Sequence, residues 1–242
     1  MQKLFRLLPV LVVVSIIVAW SFPLLALGVR FDLWGVLVAL PLMAGAALTA
    51  AIIMGLAGVC LLSAIRRQEQ AAVHRAILVV LVLVVPVATV FHFGLKASQS
   101  PVIYDVSTDW GQPPAIAAIS NVRPDSANPL QGAADVKALQ SEHYPDVQGL
   151  VLAQSAASIL QKAVFVATEL GWRVEAVNEQ AGILEATDRT FWFGFVDDIT
   201  VRIQASPEGG SRVDVRSVSR VGKSDLGKNA DRIRVFLAAI KS

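Results

Sequence analysis

Hydrophobic and polar positions follow two different regimes along this chain, with the change near residue 96. Before it, apolar residues run almost without interruption through three windows, Leu7–Leu27, Trp34–Leu62 and Ala76–Leu95. A helix crossing the hydrocarbon core of a bilayer needs about 20 mostly apolar residues, so each window predicts a transmembrane helix. Pro9, Pro23, Pro41 and Pro86 fall inside these windows. Spans tolerate interior prolines because neighbouring helices can satisfy the freed carbonyls. The second window is long for a straight crossing, which predicts a tilt, a kink at Pro41 or a turn projecting beyond the bilayer. The first resembles a signal peptide in its basic start, Lys3 and Arg6, but its apolar run is too long and lacks a small-x-small cleavage site. It is read as a retained helix.

Beyond residue 96 the pattern first weakens. Pro101, Pro113, Pro114, Pro124, Pro129 and Pro145 punctuate residues 97–150, which read as an extended lead-in with Val102–Tyr104 as a short strand. Helical period returns with Ile159, Ala163, Val166 and Leu170, between an N-cap at Ser155 and a stop at Gly171. Two hairpins follow: Trp172–Asn178 with Ile183–Arg189, then alternating segments around Ile199–Ala205 and Val213–Arg216 joined by Ser206–Gly210. Ile233, Phe236, Leu237 and Ile240 close the chain with a second amphipathic helix. The expected class is α+β: an N-terminal bundle of three transmembrane helices (residues 1–96), then a soluble domain (97–242). That domain is expected to hold a mainly antiparallel four-stranded sheet with two helices on one face.

Charge orients this picture. Residues 1–96 carry seven Lys/Arg against Asp32 and Glu69, whereas residues 97–242 carry fourteen Lys/Arg against seventeen Asp/Glu. The basic excess therefore flanks the helices, and an acidic soluble domain argues against a nucleic-acid partner. Arg66, Arg67 and Arg75 fill the loop between the second and third windows, while the loop between the first two holds only Arg30 and Asp32. The positive-inside rule then puts the N-terminus in the cytoplasm and the C-terminal domain on the far side of a bacterial inner membrane, in the periplasm. The single cysteine, Cys60, lies in an apolar run, so the domain has no disulfide and no thiolate chemistry. Within the second window Ala47, Ala51, Gly55 and Gly58 form a small-residue face, read as packing among the protein's own helices, with a partner span as the alternative. His92, near the end of the third window, reads as a locally satisfied histidine ahead of a ligand to haem or quinone.

The only dense chemistry lies between Phe191 and Arg234. Matching the apolar faces of the second hairpin pairs Ile203 with Val213 and Val201 with Val215, and sets Arg202 opposite Asp214. The same ladder sets Asp198 opposite Val218 and Asp197 opposite Ser219. Residues 97–211 hold six basic and fourteen acidic side chains, and residues 212–242 hold eight and three. Such opposite balances predict an internal Asp/Arg network. The functional reading is a ligand or partner surface formed by Asp197, Asp198, Arg216, Ser217, Ser219, Arg220, Asp225, Asn229 and Arg232, with the last helix's amides facing an anion. A metal held by Asp197, Asp198 and Asp225 is a minor alternative, and Asp225 or Ser224 also reads as a plain helix cap. Neither a metal nor a cofactor is expected. No nucleophile elbow, phosphate loop or His-rich spacing occurs. The aromatic run Phe191–Phe195 reads as a buried strand, with an apolar groove or a lipid-dipping segment as the other readings.

Phe195-Val196-Asp197-Asp198, Asp214-Val215-Arg216-Ser217-Val218-Ser219-Arg220, and Gly222, Asp225, Gly227, Asn229 and Arg232-Ile233 together resemble a bacterial family called domain of unknown function 1499. Asp105-Val106-Ser107-Thr108-Asp109, Pro113-Pro114 and Tyr144-Pro145-Asp146 resemble its upstream motifs, so the likeness spans about residues 101–242. The resemblance implies an envelope-associated bacterial domain and no particular activity. The leading expectation is a non-enzymatic inner-membrane protein whose partners are the lipid bilayer and a membrane-protein or anionic envelope component. A tethered hydrolase or transferase using the Asp/Arg cluster, and a structural accessory subunit, are the other two.

Overall fold

A computed structural model describes residues 5–130, 135–207 and 209–242. Lys3 of the basic N-terminal flank, residues 131–134 of the lead-in and Glu208 of the second hairpin turn lie outside the described residues. The chain divides into two compact units, one of residues 1–98 with Phe191–Gly194, the other of residues 99–190 with 195–242.

The first unit contains helices α1 (Leu8–Arg30), α2 (Val36–Arg66) and α3 (Gln70–Gln99). All three are long and apolar enough to cross a membrane, with hydropathy between 2.4 and 2.7 over their best windows. Their outward faces carry Leu37, Leu48, Leu81 and Val85 exposed, which suits lipid rather than water as the surrounding solvent. The helices meet along a narrow seam of Ala50, Ile53, Ala57, Val79 and Leu83, continued by Leu8, Cys60, Ala64, Ala72 and Ala76. This seam lies beside the small-residue face expected to make it. Ala51 and Gly55 are exposed, and a side chain at Gly55 or Gly58 would meet open space. Helical geometry explains the difference: the contact stripe follows Ala50, Ile53, Ala57, Cys60 and Ala64, and adjacent residues point about 100° away. His92 is exposed and lies edge-on to Phe93.

The second unit is an α+β domain whose sheet has six strands rather than four. The strands are β1 (Asp105–Ser107), β2 (Leu150–Leu152), β3 (Arg173–Asn178), β4 (Ile183–Arg189), β5 (Val196–Ala205) and β6 (Ser211–Ser219). Their order is β1-β6-β5-β4-β3 with every pairing antiparallel, and β2 also pairs with β6. Strand β1 takes Arg216–Val218 and β2 takes Ser211–Val213, so the two additions lie end to end along one edge of β6. Each is three residues long, too short for alternation to announce it in sequence. Strand β1 also begins just past the expected Val102–Tyr104. The lead-in is not wholly extended either, since it folds a 3-10 turn at Ile119–Val122 and helix α4 (Val136–His143).

The long hairpin keeps the expected register, with Ile203 opposite Val213, Arg202 opposite Asp214, Val201 opposite Val215, Asp198 opposite Val218 and Asp197 opposite Ser219. One sheet face carries Leu184, Ala186, Ile199, Val201, Ile203, Val213 and Val215, all at most 2 % exposed. Helices α5 (Ala156–Glu169) and α6 (Lys228–Lys241) cover it, packing Ile159, Ala163, Ile233 and Phe236 into one core with those strands. The Ser155 hydroxyl caps α5 by accepting from Ser158 N–H, and Trp172 stacks on Phe236 with ring centroids 5.0 Å apart.

Candidate functional site

Alternation along β5 and β6 sends neighbouring residues to opposite sheet faces, and this splits eight of the nine candidate residues into two groups, with Asp225 apart from both. Asp197, Ser217 and Ser219 face the helices, where Asn229 and Arg232 of α6 meet them. Asp198, Arg216 and Arg220 face the other way. Asp197 and Asp198 therefore do not converge on one ion, and among the described residues no group of three His, Cys, Asp or Glu is gathered for a metal.

The helix-side group centres on the Arg232 guanidinium. Its Nε and Nη2 donate to Asp188 at 3.1 and 2.7 Å, Nη2 also donates to Asp197 at 2.5 Å, and Nη1 donates to Ser217 Oγ and Asn229 Oδ1 at 3.0 and 2.6 Å. The Ser217 hydroxyl donates to Asn229 Oδ1 at 2.7 Å. Asn229 Nδ2 donates to the Tyr104 carbonyl and to Ser219 Oγ, both at 3.0 Å, which ties α6 to the start of β1. Burial pulls on the Arg232 pKa, but Asp197 and Asp188 outweigh it and hold the guanidinium above its ordinary value. Asp188 is the group's exposed member, with 32 % of its side chain accessible.

Asp225 belongs to the start of α6 rather than to this cluster. Its two carboxylate oxygens accept from Gly227 N–H and Asn229 N–H, both at 2.8 Å. Those are among the amides that a helix leaves unsatisfied at its N-terminus, and a carboxylate suits the positive end of the dipole. Gly227 has φ +78°, a left-handed conformation that glycine takes without strain. Desolvation raises the Asp225 carboxyl above its ordinary value against these two amides.

The opposite face is charged and yet buried. Arg216 donates to Asp105 through Nε at 3.0 Å and Nη2 at 2.7 Å, and also reaches the Pro114 and Leu130 carbonyls. Arg220 forks onto Asp198 through Nε at 2.9 Å and Nη2 at 2.7 Å, and Arg123 approaches the same carboxylate. Arg202 bridges Asp109 and Asp214, while Arg212 makes a two-point contact with Asp214. Burial pushes the Asp105 carboxyl up even though Arg216 opposes it. Taking such charges from water is costly, and the arrangement stands because each carboxylate keeps a directed cationic partner.

A strap formed by residues 109–130 closes this face. The Glu185 carboxylate, 3 % exposed, accepts from the backbone N–H groups of Ala117, Ala118 and Ile119 at 2.8–2.9 Å. These amides open the 3-10 turn, so the carboxylate acts as its anion. Ile116 and Ile119 bury against Val218, and Asn128 bonds the carbonyls of Ser219 and Gly222. The strap thus reads the edge of β6 through backbone contacts and supplies Arg123 to Asp198.

Sequence reasoning missed Asp105, Arg123, Glu185 and Asp188 as members of these networks. Glu185 had a signal, since it alternates with the core residues Leu184 and Ala186 and shares the opposite face of β4 with Thr187. Asp105 had one in the upstream Asp-x-Ser-Thr-Asp motif, and Arg123 had none. The aromatic run is also corrected: residues 191–195 are a turn between β4 and β5, with Phe191 and Trp192 exposed.

In the loop from β6 to α6, Val221 and Lys223 lie outside these bonds and are exposed. The arrangement fastens a strap, a sheet and a helix by internal ion pairs, while the Val221–Lys223 loop and part of the Asp188 side chain stay accessible. A comparison with curated proteins finds no match. Residues 105–240, from the first residue of β1 to the last turn of α6, match the family described as protein of unknown function, DUF1499. The match covers more than half of the chain and takes in every residue of both ionic networks, and the chain belongs to the DUF1499 family.

Proposed function

We propose that this chain is a bacterial inner-membrane protein whose C-terminal domain lies on the periplasmic side and works as a binding module rather than a catalyst. The partner is a membrane protein or an anionic envelope component held near the bilayer. The observation that carries this reading is the commitment of Asp197, Asp198 and Asp105 to arginines within the fold. A hydrolase or transferase built on those carboxylates would need one of them to act on a substrate, and here each one holds the domain together. Engagement then falls to the exposed loop beyond the network, Val221–Lys223, whose lysine is suited to an acidic partner surface.

The arginine-flanked loop at Arg66, Arg67 and Arg75 supports the periplasmic assignment through the positive-inside rule. The test is recovery of partners from cross-linked native membranes with the intact protein, compared with a Val221→Asp/Lys223→Glu variant. Both positions are exposed, so the variant removes no buried contact of the domain. The reading expects a partner recovered with the wild type and lost from the variant, and equal recovery from both removes the loop's role.

A second reading, a structural accessory subunit, is favoured by the small-residue face of α2. Ala51 and Gly55 are exposed rather than used in the helix seam, and close backbone approach by another span is what such faces permit. In that case Gly55→Leu, and not the loop variant, abolishes recovery.

A further inference from the structure

The turn joining β4 to β5 is closed at its base by hydrogen bonds. Thr190 N–H donates to the Phe195 carbonyl, and Phe195 N–H donates to the Thr190 hydroxyl, both at 2.9 Å. These two bonds close the base, so Phe191–Gly194 project as a four-residue tip, with Gly194 at φ +68° turning the chain. At the summit the Phe191 and Trp192 rings meet edge to face at 5.2 Å, yet they are 71 % and 52 % exposed. Two adjacent aromatic rings fixed in this manner are an apolar surface in search of a cover.

The cover is identified by the company the tip keeps. Residues 191–194 belong to the same compact unit as the three long helices. Within that unit the guanidinium of Arg30, the last residue of α1, donates to the Phe191 carbonyl and lies over its ring at 5.6 Å. Phe31 and Trp34, in the turn that follows α1, are exposed as well. A Trp at the end of a span is characteristic of the membrane–water interface, where amphipathic rings settle at headgroup level, and an arginine at a helix end reaches the same level. A ring pair held at the same residue shares that level.

We propose that the Phe191–Trp192 tip is a membrane-interface anchor, its rings seated among the lipid headgroups and upper acyl chains of the bilayer that the helices cross. This inference rests on the membrane-spanning reading of the helices and does not depend on which partner the domain binds.

The test keeps the native rings in place. The full chain, labelled with 5-fluorotryptophan, is placed in phosphatidylethanolamine/phosphatidylglycerol nanodiscs, and the Trp192 fluorine resonance is assigned by its absence in Trp192→Phe. Spin-labelled lipid with the nitroxide near the headgroup is expected to erase the Trp192 signal, and a water-soluble gadolinium chelate is expected to spare it. Trp172, buried in the domain core, serves as the signal that neither agent removes. Loss with gadolinium and survival with the lipid label would place the tip in water. Survival with both would mean that protein covers it. Either result overturns the proposal.

Discussion

Asp198 shows how much of this domain depends on single side chains. It is fully buried and faces two guanidinium groups, Arg220 at 2.7 Å and Arg123 from the strap. Its neighbour Asp197 points to the other face and holds Arg232. Removing one partner of a buried ion pair leaves an uncompensated charge, at about 3–5 kcal/mol, whereas replacing a whole pair by apolar groups is often neutral. Asp198→Ala should therefore cost about 3–5 kcal/mol in a denaturant titration. A triple change that also removes Arg123 and Arg220 in favour of leucines should recover much of that loss. A loss confined to a few tenths of a kcal/mol for Asp198→Ala would mean that the network is ornamental. At this scale the sequence was partly legible. Opposite charge balances before and after residue 211 pointed to internal pairing, but no periodicity could indicate Arg123, which reaches Asp198 from an irregular segment 75 residues away.

Among the elements, the central hairpin was the most readable because its alternation is long. Five pairs of β5 and β6 could be set from apolar matching alone, and those pairs stand in the structure. The short strands β1 and β2 were not readable, since three residues carry no period and both take their conformation from the exposed edge of β6. The other misreading concerns burial. A strand alternating Ile or Val with Asp, Thr or Arg suggests one buried and one wet face. In β6 every residue after Arg212 is buried, because the strap seals the polar face with its own backbone donors and acceptors. Glu185 is the clasp of that seal. Glu185→Gln keeps the shape but removes the charge that three amides share, and hydrogen bonds to charged groups contribute about 1.5–3 kcal/mol each. Hydrogen exchange at Ala117, Ala118 and Ile119 should accelerate selectively in Glu185→Gln, while the amides of β5 keep their protection. Uniform acceleration through β5 would instead make strap and sheet one cooperative unit.

For the whole molecule, three apolar helices precede a family domain whose ionic groups are bound up in its own architecture. The helices were legible because a span must be long and apolar to lie in lipid. Their packing stripe was not, because small residues occur on two faces of α2 and sequence does not say which one a neighbour uses. The central claim is that this domain operates on the periplasmic face of the membrane, and residue accessibility tests it directly. In a Cys60→Ser background, Lys223→Cys marks an exposed loop of the domain and Gln70→Cys marks the exposed first residue of α3, beside the loop that follows α2. With a membrane-impermeant maleimide applied to intact spheroplasts, Lys223→Cys should label at once and Gln70→Cys only after permeabilisation. Labelling of Gln70→Cys in intact spheroplasts, with Lys223→Cys protected until lysis, would contradict the account.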